Sequence, residues 1–274
     1  MIPNNIHFIY GLRKDFGGKN FSFIHFLAIL SAWKINQPDA LFYHYEYEPS
    51  GYWWERARPY LQLNKVKAPN SIFDRPIKHF AHQADVLRLE ILQDQGGIYL
   101  DNDIFCINSF KPLLKYGFVM GKEPGVGLCN AVILSQASAP FLARWFEGYR
   151  KFNDLSWNQF SVILPHRLAK KNPNLIHVED GFSFFYPMYN RYLQTFFFWK
   201  SLGFPNITRS LRFLANYKER QFAILSQAYA THLWEQFWWE LYLKDLTPLK
   251  VLNSNSNFSR IVKKVLSEET LSEL

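Results

Sequence analysis

The stretch Gly96-Gly97-Ile98-Tyr99-Leu100-Asp101-Asn102-Asp103 follows a run, residues 79–95, in which Phe80, Ala84, Leu87 and Ile91 recur at spacings of three and four. That spacing predicts a helix with one apolar face. The two glycines end it, where a left-handed backbone is unstrained only for glycine. Ile98-Tyr99-Leu100 then reads as a short apolar strand that delivers Asp101 and Asp103 to its tip. Residues two apart on an extended backbone send their side chains to the same side. The two carboxylates therefore form a compact oxygen site for a hard divalent cation such as Mg2+ or Mn2+, which commonly completes its shell with water and substrate phosphates. Asp85 and Arg88 are three apart and lie side by side on the predicted helix. Read alone, they are a surface ion pair of little energy. A bare Asp-x-Asp is equally at home in a solvated turn; the Gly-Gly before it and the Asp-x-x-Arg helix make this one specific.

Outward from that stretch, residues 6–10 (Ile-His-Phe-Ile-Tyr) read as a first buried strand, followed by a loop from Gly11 to Gly18. A helix is predicted over 21–36, a second strand over 40–47 ended by Pro49-Ser50-Gly51, and a short helix over 52–60. Strand, helix and strand in that order predict a parallel α/β unit, in which ligands bind beyond the carboxyl ends of the strands. Further strands are predicted at 117–122, 131–135, 176–178 and 184–186. Helices are predicted at 138–152 and at 157–171, the latter interrupted by Pro165. No internal repeat and no convincing linker precede residue 250. The expected organisation is one α/β domain over 1–250 and a tail over 251–274, with a polar loop at 253–257 and a short, weakly docked terminal helix.

The 274 residues, 48% of them hydrophobic, suffice for a sizeable core. Aromatic content is high at 18%, more than a core pattern alone requires, so some rings are expected to face a ligand, a partner or a membrane. A net charge of +8 attracts anions such as nucleotides or lipid headgroups. No nucleic-acid-binding signature accompanies it, so no nucleic-acid partner is expected. The two cysteines, Cys106 and Cys129, exclude a disulfide framework and show no metal-ligand spacing; they read as reduced core residues in a cytoplasmic protein. No signal peptide is visible in Met1 to Asn5. The longest apolar run, Phe21 to Trp33, is too short to span a bilayer and reads as a buried helix. Residues 189–222 combine Phe196-Phe197-Phe198-Trp199 with Arg191, Lys200, Arg209, Arg212, Lys218 and Arg220, and Glu219 is their one acid. The mixture suits an interfacial helix or lid at the inner face of a membrane. An amphipathic helix pair packed on the core fits it slightly better.

Taken together, His82-Gln83-Ala84-Asp85-Val86-Leu87-Arg88-Leu89 and Gly96 to Asp103 resemble the sugar-binding region of glycosyltransferases with an Asp-x-Asp motif, of the family 32 type. Yeast α-mannosyltransferases and bacterial capsule enzymes belong to that family, and the large clostridial glucosylating toxins are more distant relatives. The resemblance covers roughly residues 2–240. It implies a GT-A type nucleotide-sugar-binding fold: a central, mostly parallel sheet flanked by helices, with helical C-terminal additions. By position it implies that Asp85 and Arg88 contact the donor sugar, that Asp101 contacts sugar or ribose, and that Asp103 binds the metal. His7-Phe8-Ile9-Tyr10 matches a segment whose fourth residue stacks on the base, which places Tyr10, with His7, at the donor. Thr231-His232-Leu233-Trp234-Glu235-Gln236-Phe237-Trp238 is similar to the family's closing motif. There His232 would touch metal or diphosphate and Trp238 would close over the leaving group; Phe237 stands where Ser is usual. In a weaker match, Asn130 of Gly127-Leu128-Cys129-Asn130-Ala131 either bonds a sugar or is a turn residue.

The resemblance thus implies a metal-dependent transfer, with retention, from a UDP- or GDP-sugar to a glycan or lipid-linked saccharide. Two other classes compete. One is a phosphatase built on an Asp-x-Asp nucleophile pair, although such proteins begin their fold with that motif. The other is a carbohydrate- or membrane-binding protein with a decayed site.

Overall fold

The computed structural model describes residues 1–198 and 209–274, by backbone alone over 209–215. Strand β1 (Asn5–Ile9) is followed by α1 (Phe23–Asn36), β2 (Ala40–Tyr45), α2 (Tyr52–Ala57) and β3 (Gln62–Lys65). β1 pairs parallel with β2, Ile6 opposite Leu41, and β2 pairs parallel with β3. A parallel strand covered on both faces is apolar almost throughout, and β1 is buried from Ile6 to Ile9. Helix α1 is buried on every side from Phe23 to Ala32, in keeping with its mostly apolar sequence; its N-terminus is tied by the Ser22 amide donating to His25 Nδ1 at 2.9 Å. A small hairpin of β4 (Ser71–Ile72) and β5 (Arg75–Pro76) leads into α3 (Phe80–Gln95).

At the end of α3 the chain turns through Gly96 (φ 66°) and Gly97 (φ 106°) into β6 (Gly97–Leu100). A Cβ on Gly97 would stand 2.7 Å from the Asn5 carbonyl oxygen and 2.8 Å from His7 Nε2. Only glycine lets β6 lie beside β1 at this point. β7 (Ile104–Cys106), β8 (Phe118–Glu123), β9 (Gly127–Ser135), α4 (Pro140–Gly148), α5 (Leu164–Lys171) and β10 (His177–Glu179) follow. The main sheet has seven strands in the order β10-β8-β9-β6-β1-β2-β3. It is mostly parallel; β9 runs against both its neighbours. One apolar cluster on α1 and the C-terminal helices and another on α3 and α4 hold the core.

Several sequence expectations are corrected here. Residues 184–186, expected as a strand, are instead the last residue of helix α6 (Gly181–Phe184) and the two that follow it; the Asp180 carboxylate caps that helix by accepting from the amides of Phe182 and Ser183. Asn130 is not a turn residue but lies within β9. Beyond α6 lie α7 (Arg191–Phe198), α8 (Arg209–Gln227), β11 (Ala230–His232), α9 (Glu235–Trp238), α10 (Pro248–Leu252), α11 (Asn257–Leu266) and α12 (Glu268–Ser272). The terminal helices are not weakly docked. Phe258, Ile261, Val262 and Leu266 of α11 are buried in the cluster that holds α1, and Lys34 Nζ donates to the Leu266 carbonyl at 3.1 Å.

The described part of segment 189–222 is a packed helix pair. Phe197 is buried against Phe258, and Lys218 Nζ donates to the Asn255 carbonyl at 2.7 Å. Trp199 and Lys200 lie outside the described residues, as do the side chains of Arg209 and Arg212. Among the described residues no helix is long and apolar enough to cross a membrane.

Candidate active site

A cavity of about 690 Å³ opens where the tips of β1 and β6 face α3, β9 and the segment from His232 to Phe237. Its centre is organised by one buried cation. Arg88 Nη1 donates to Asp101 Oδ1 at 3.0 Å and to the Asn130 carbonyl at 2.9 Å, and Nη2 lies 3.2 Å from Asp85 Oδ1. The guanidinium rests 4.4 Å from the centre of the Tyr99 ring, whose hydroxyl donates to Asp101 Oδ1 at 2.7 Å. Asn130 Nδ2 donates to Asp85 Oδ1 at 2.7 Å. Residues from α3, β6 and β9 are thereby locked to one another. Burial opposes the charge of Arg88, but Asp101, Tyr99 and Asp85 outweigh it and hold the guanidinium above its ordinary value. For Asp85, desolvation wins over the pull of Arg88 and Asn130, and its carboxyl is raised.

The second half of the site comes from far along the chain. β11 pairs antiparallel with β7, His232 opposite Ile104, so His232 arrives beside the Asp-x-Asp turn. His232 Nε2 lies 3.1 Å from Asp103 Oδ2, which also accepts from the Glu235 amide at 2.8 Å. The His232 ring stacks on Trp234 at 4.1 Å. Desolvation pulls His232 down, yet Asp103 outweighs it and raises the imidazole; conversely, burial would raise Asp103, and the His232 charge with its hydrogen bonds lowers it.

Asp101, Asp103 and His232 each offer a ligand atom, and these atoms lie within 4.8 Å of one another. Two carboxylates and an imidazole suit Mn2+ or Mg2+ in a cavity where Glu123 and Glu235 add further acid. His232 Nδ1 is buried with no hydrogen-bond partner, a polar atom that the protein itself leaves unsatisfied in this cluster. The residues present fit a divalent metal.

Residues 29–119 match the family described as glycosyltransferase sugar-binding region containing DXD motif. The chain is 34% identical over 276 residues to Glucan organizing enzyme 1 of Cryptococcus neoformans var. grubii, an alignment covering 96% of this chain and 70% of the fungal protein. It belongs to the DXD glycosyltransferases. Over 90 residues it is 32% identical to the O-glycosyltransferase braB of Annulohypoxylon truncatum, which is 28% of this chain and 21% of that protein. The crystal structure of the glycosyltransferase GlyE of Streptococcus pneumoniae TIGR4 matches with a TM-score of 0.51 at 13% identity, covering 100% of this chain and 63% of GlyE. At that identity the likeness is one of fold, and the fold is GT-A. The phosphatase alternative is thereby displaced.

In this glycosyltransferase the structure brings Asp85, Arg88, Asp101, Asp103, Asn130, His232 and Tyr10 to one cavity. Tyr10 stands at its edge, stacked on Phe16 at 5.7 Å, with its hydroxyl donating to the Lys19 carbonyl. Two expected residues are elsewhere. His7 is fully buried on the far side of β1, stacked on Phe42 and bonded to His44 and the Gly96 carbonyl. It does not line the cavity. Trp238 packs into the core beside Tyr242. Trp234, in a left-handed backbone conformation (φ 53°), starts α9 and turns itself and Phe237 toward the cavity while Trp238 points away. Phe237, 55% exposed, stacks on Tyr189 at 5.0 Å.

Sequence reasoning missed Glu123, which ends β8 in the cavity wall with its carboxyl raised by burial. It also missed Lys19 and Glu235, which approach each other at 3.7 Å. A lone acid at a strand end carries no signal by itself. Lys19 sits just after the glycine-rich loop that follows β1, and ligand sites in such sheets lie beyond the carboxyl ends of the strands, which gave a usable hint.

Proposed function

We propose that this glycosyltransferase moves a hexose from a UDP- or GDP-sugar to a glycan or lipid-linked saccharide, with Mn2+ or Mg2+ held by Asp101, Asp103 and His232. The observation that carries the reading is the convergence of those three side chains beside the Asp85–Arg88–Asn130 network in one cavity. The fungal relative's name, which refers to glucan, supports a glycan acceptor.

A bound divalent cation would neutralise the negative charge that develops on the departing diphosphate. The protein's own groups supply position and field. Tyr10 offers a ring face for the base. Asp85, Arg88 and Asn130 hold sugar hydroxyls in a fixed orientation, because each is already fixed by the other two. Lys19 adds positive charge near the phosphates. Trp234 and Phe237 shield the reacting bond from water. The bond between the anomeric carbon and the diphosphate breaks with its electron pair going to phosphate oxygen. The acceptor oxygen attacks on the same face, its proton passes to the departing phosphate, and configuration is retained. A cytoplasmic setting, with segment 189–222 touching a membrane surface, belongs to the same reading; recovery of all the protein without vesicle binding at low salt would count against that contact.

The test is transfer. A panel of UDP- and GDP-sugars is offered with glucan, mannan and galactan oligosaccharides, and the product linkage is read by NMR. One donor giving a glycoside of retained configuration is expected. A glycoside of inverted configuration would overturn the same-face step, and no product from any donor would count against the transfer reading.

A further inference from the structure

We propose that His82, oriented by Asp154, receives a sugar hydroxyl, and that with Trp157 it forms a second sugar subsite in the cavity wall, one helical turn from Asp85. The inference rests on the sugar-transfer reading above and names a part of the cavity outside the Asp-x-Asp centre.

His82 lines the cavity on α3 and is 4% exposed. Its Nδ1 lies 2.8 Å from Asp154 Oδ1. Asp154 is itself fixed, since Oδ2 accepts from the Lys78 amide at 3.2 Å and Oδ1 from the His79 amide at 3.5 Å. Partial desolvation works against its charge, but these donors hold the Asp154 carboxyl below its usual range. A carboxylate on Nδ1 fixes the tautomer of a neutral imidazole: Nδ1 carries the proton and Nε2 presents a lone pair. His82 Nε2 is buried and has no hydrogen-bond partner. An unpaired buried acceptor is unfavourable unless a ligand completes it. Three donors converge on Asp154 and none on Nε2, so the arrangement is built up to that atom and stops there.

The neighbouring surface fits a sugar. Trp157, 47% exposed, stands edge-on to His79 with ring centres 5.0 Å apart and 5.7 Å from His82. A pyranose has an apolar face of C–H bonds, which suits the negative face of an indole, and a rim of hydroxyls, which suits an imidazole lone pair. Asp154 disfavours a phosphate in the same place by charge. The hydroxyl can belong to the donor's sugar or to the acceptor's, and kinetics separates the two.

The experiment compares wild type with His82→Phe, His82→Gln, Asp154→Asn and Trp157→Ala in two assays. One measures KM for the active nucleotide sugar in hydrolysis; the other measures KM for a glycan oligosaccharide in transfer. His82→Phe and Asp154→Asn are expected to raise one of the two KM values about tenfold with a smaller change in kcat. Trp157→Ala should raise the same one. His82→Gln, whose amide reaches the place of Nε2, should stay within about threefold of wild type. A rise already present in hydrolysis assigns the subsite to the donor sugar, and a rise confined to transfer assigns it to the acceptor. Unchanged KM values in both assays would overturn the proposal, as would equal losses in His82→Phe and His82→Gln that track lowered melting temperature. A wild type that turns over no nucleotide sugar would remove the transfer reading itself, a separate and visible outcome.

Discussion

His232 Nε2 stands 3.1 Å from Asp103 Oδ2 although the two residues lie in different halves of the chain. The contact depends on the short ladder of β7 and β11, which sets His232 opposite Ile104, and on the Leu233 amide donating to the Asp103 carbonyl at 2.9 Å. The last segment of the catalytic cavity is thus anchored to the Asp-x-Asp turn by main chain as well as side chain.

On the proposed cation site, in which His232 is the one imidazole beside two carboxylates, His232→Ala should weaken Mn2+ binding by about tenfold or more. Calorimetric titration of Mn2+ into the purified protein with UDP or GDP present reads this directly. Equal affinity in the variant would place the cation elsewhere.

Arg88→Met should be costly for the fold as well as for the sugar. It leaves the buried carboxylate of Asp85 and the half-buried one of Asp101 without their cation, a loss of about 3 kcal/mol for a broken buried pair. Urea denaturation should show the midpoint falling accordingly. Arg88→Lys is expected to recover only part of it, because a point charge cannot bridge Asp85, Asp101 and the Asn130 carbonyl together. A variant as stable as wild type would show that the network does not hold the cavity.

Gly97→Ala should destabilise by more than about 1 kcal/mol, since its φ of 106° and the 2.7 Å approach to the Asn5 carbonyl leave no room for a Cβ. Thermal unfolding measures it; a neutral substitution would contradict the tight β1–β6 crossing.

The pair His7 and His44 makes stability depend on pH. Their rings are 3.1 Å apart between Nδ1 and Nε2. Burial pushes His7 down to about 4; burial, with His7 beside it, pushes His44 down to about 3. Both titrate near 6.5 when unfolded. Between those values the unfolded chain binds more protons than the folded one, so stability is complete above pH 6.5 and falls as the pH drops toward 4 and then 3. The loss from His7 alone is on the order of 3 kcal/mol. Denaturation midpoints between pH 7.5 and 4 should decline, and His7→Phe should flatten the curve. A level profile in wild type would contradict neutral buried rings.

The parts of this molecule that were legible in the sequence are those where local pattern and chemistry coincide. The α3 periodicity, the two glycines and the Asp-x-Asp tip fell within one continuous stretch, and strand–helix–strand order gave the parallel half of the sheet. The β7–β11 ladder was not legible, because two three-residue strands joined only by tertiary pairing carry no periodicity. His7 was misplaced because one strand sends alternate residues to opposite faces, and its match to a motif did not say which face met the cavity. Trp238 was misplaced for a related reason: the left-handed Trp234 rotates the start of α9, a backbone choice that no residue type announces. The docking of α11 was missed because a polar stretch, Asn253 to Ser256, separates it from the rest, while Phe258, Ile261, Val262 and Leu266 reach the core from beyond that stretch.

The central claim is that the Asp101–Asp103–His232 cluster makes sugar release from a nucleotide sugar depend on a divalent cation. The most direct measurement is release of UDP or GDP from the matching nucleotide sugars with Mn2+ and with chelator, in wild type and in Asp103→Ala. The account predicts Mn2+-dependent release in wild type and a loss of about 100-fold or more in the variant. Release that is unchanged by chelator, or undiminished in Asp103→Ala, would contradict it.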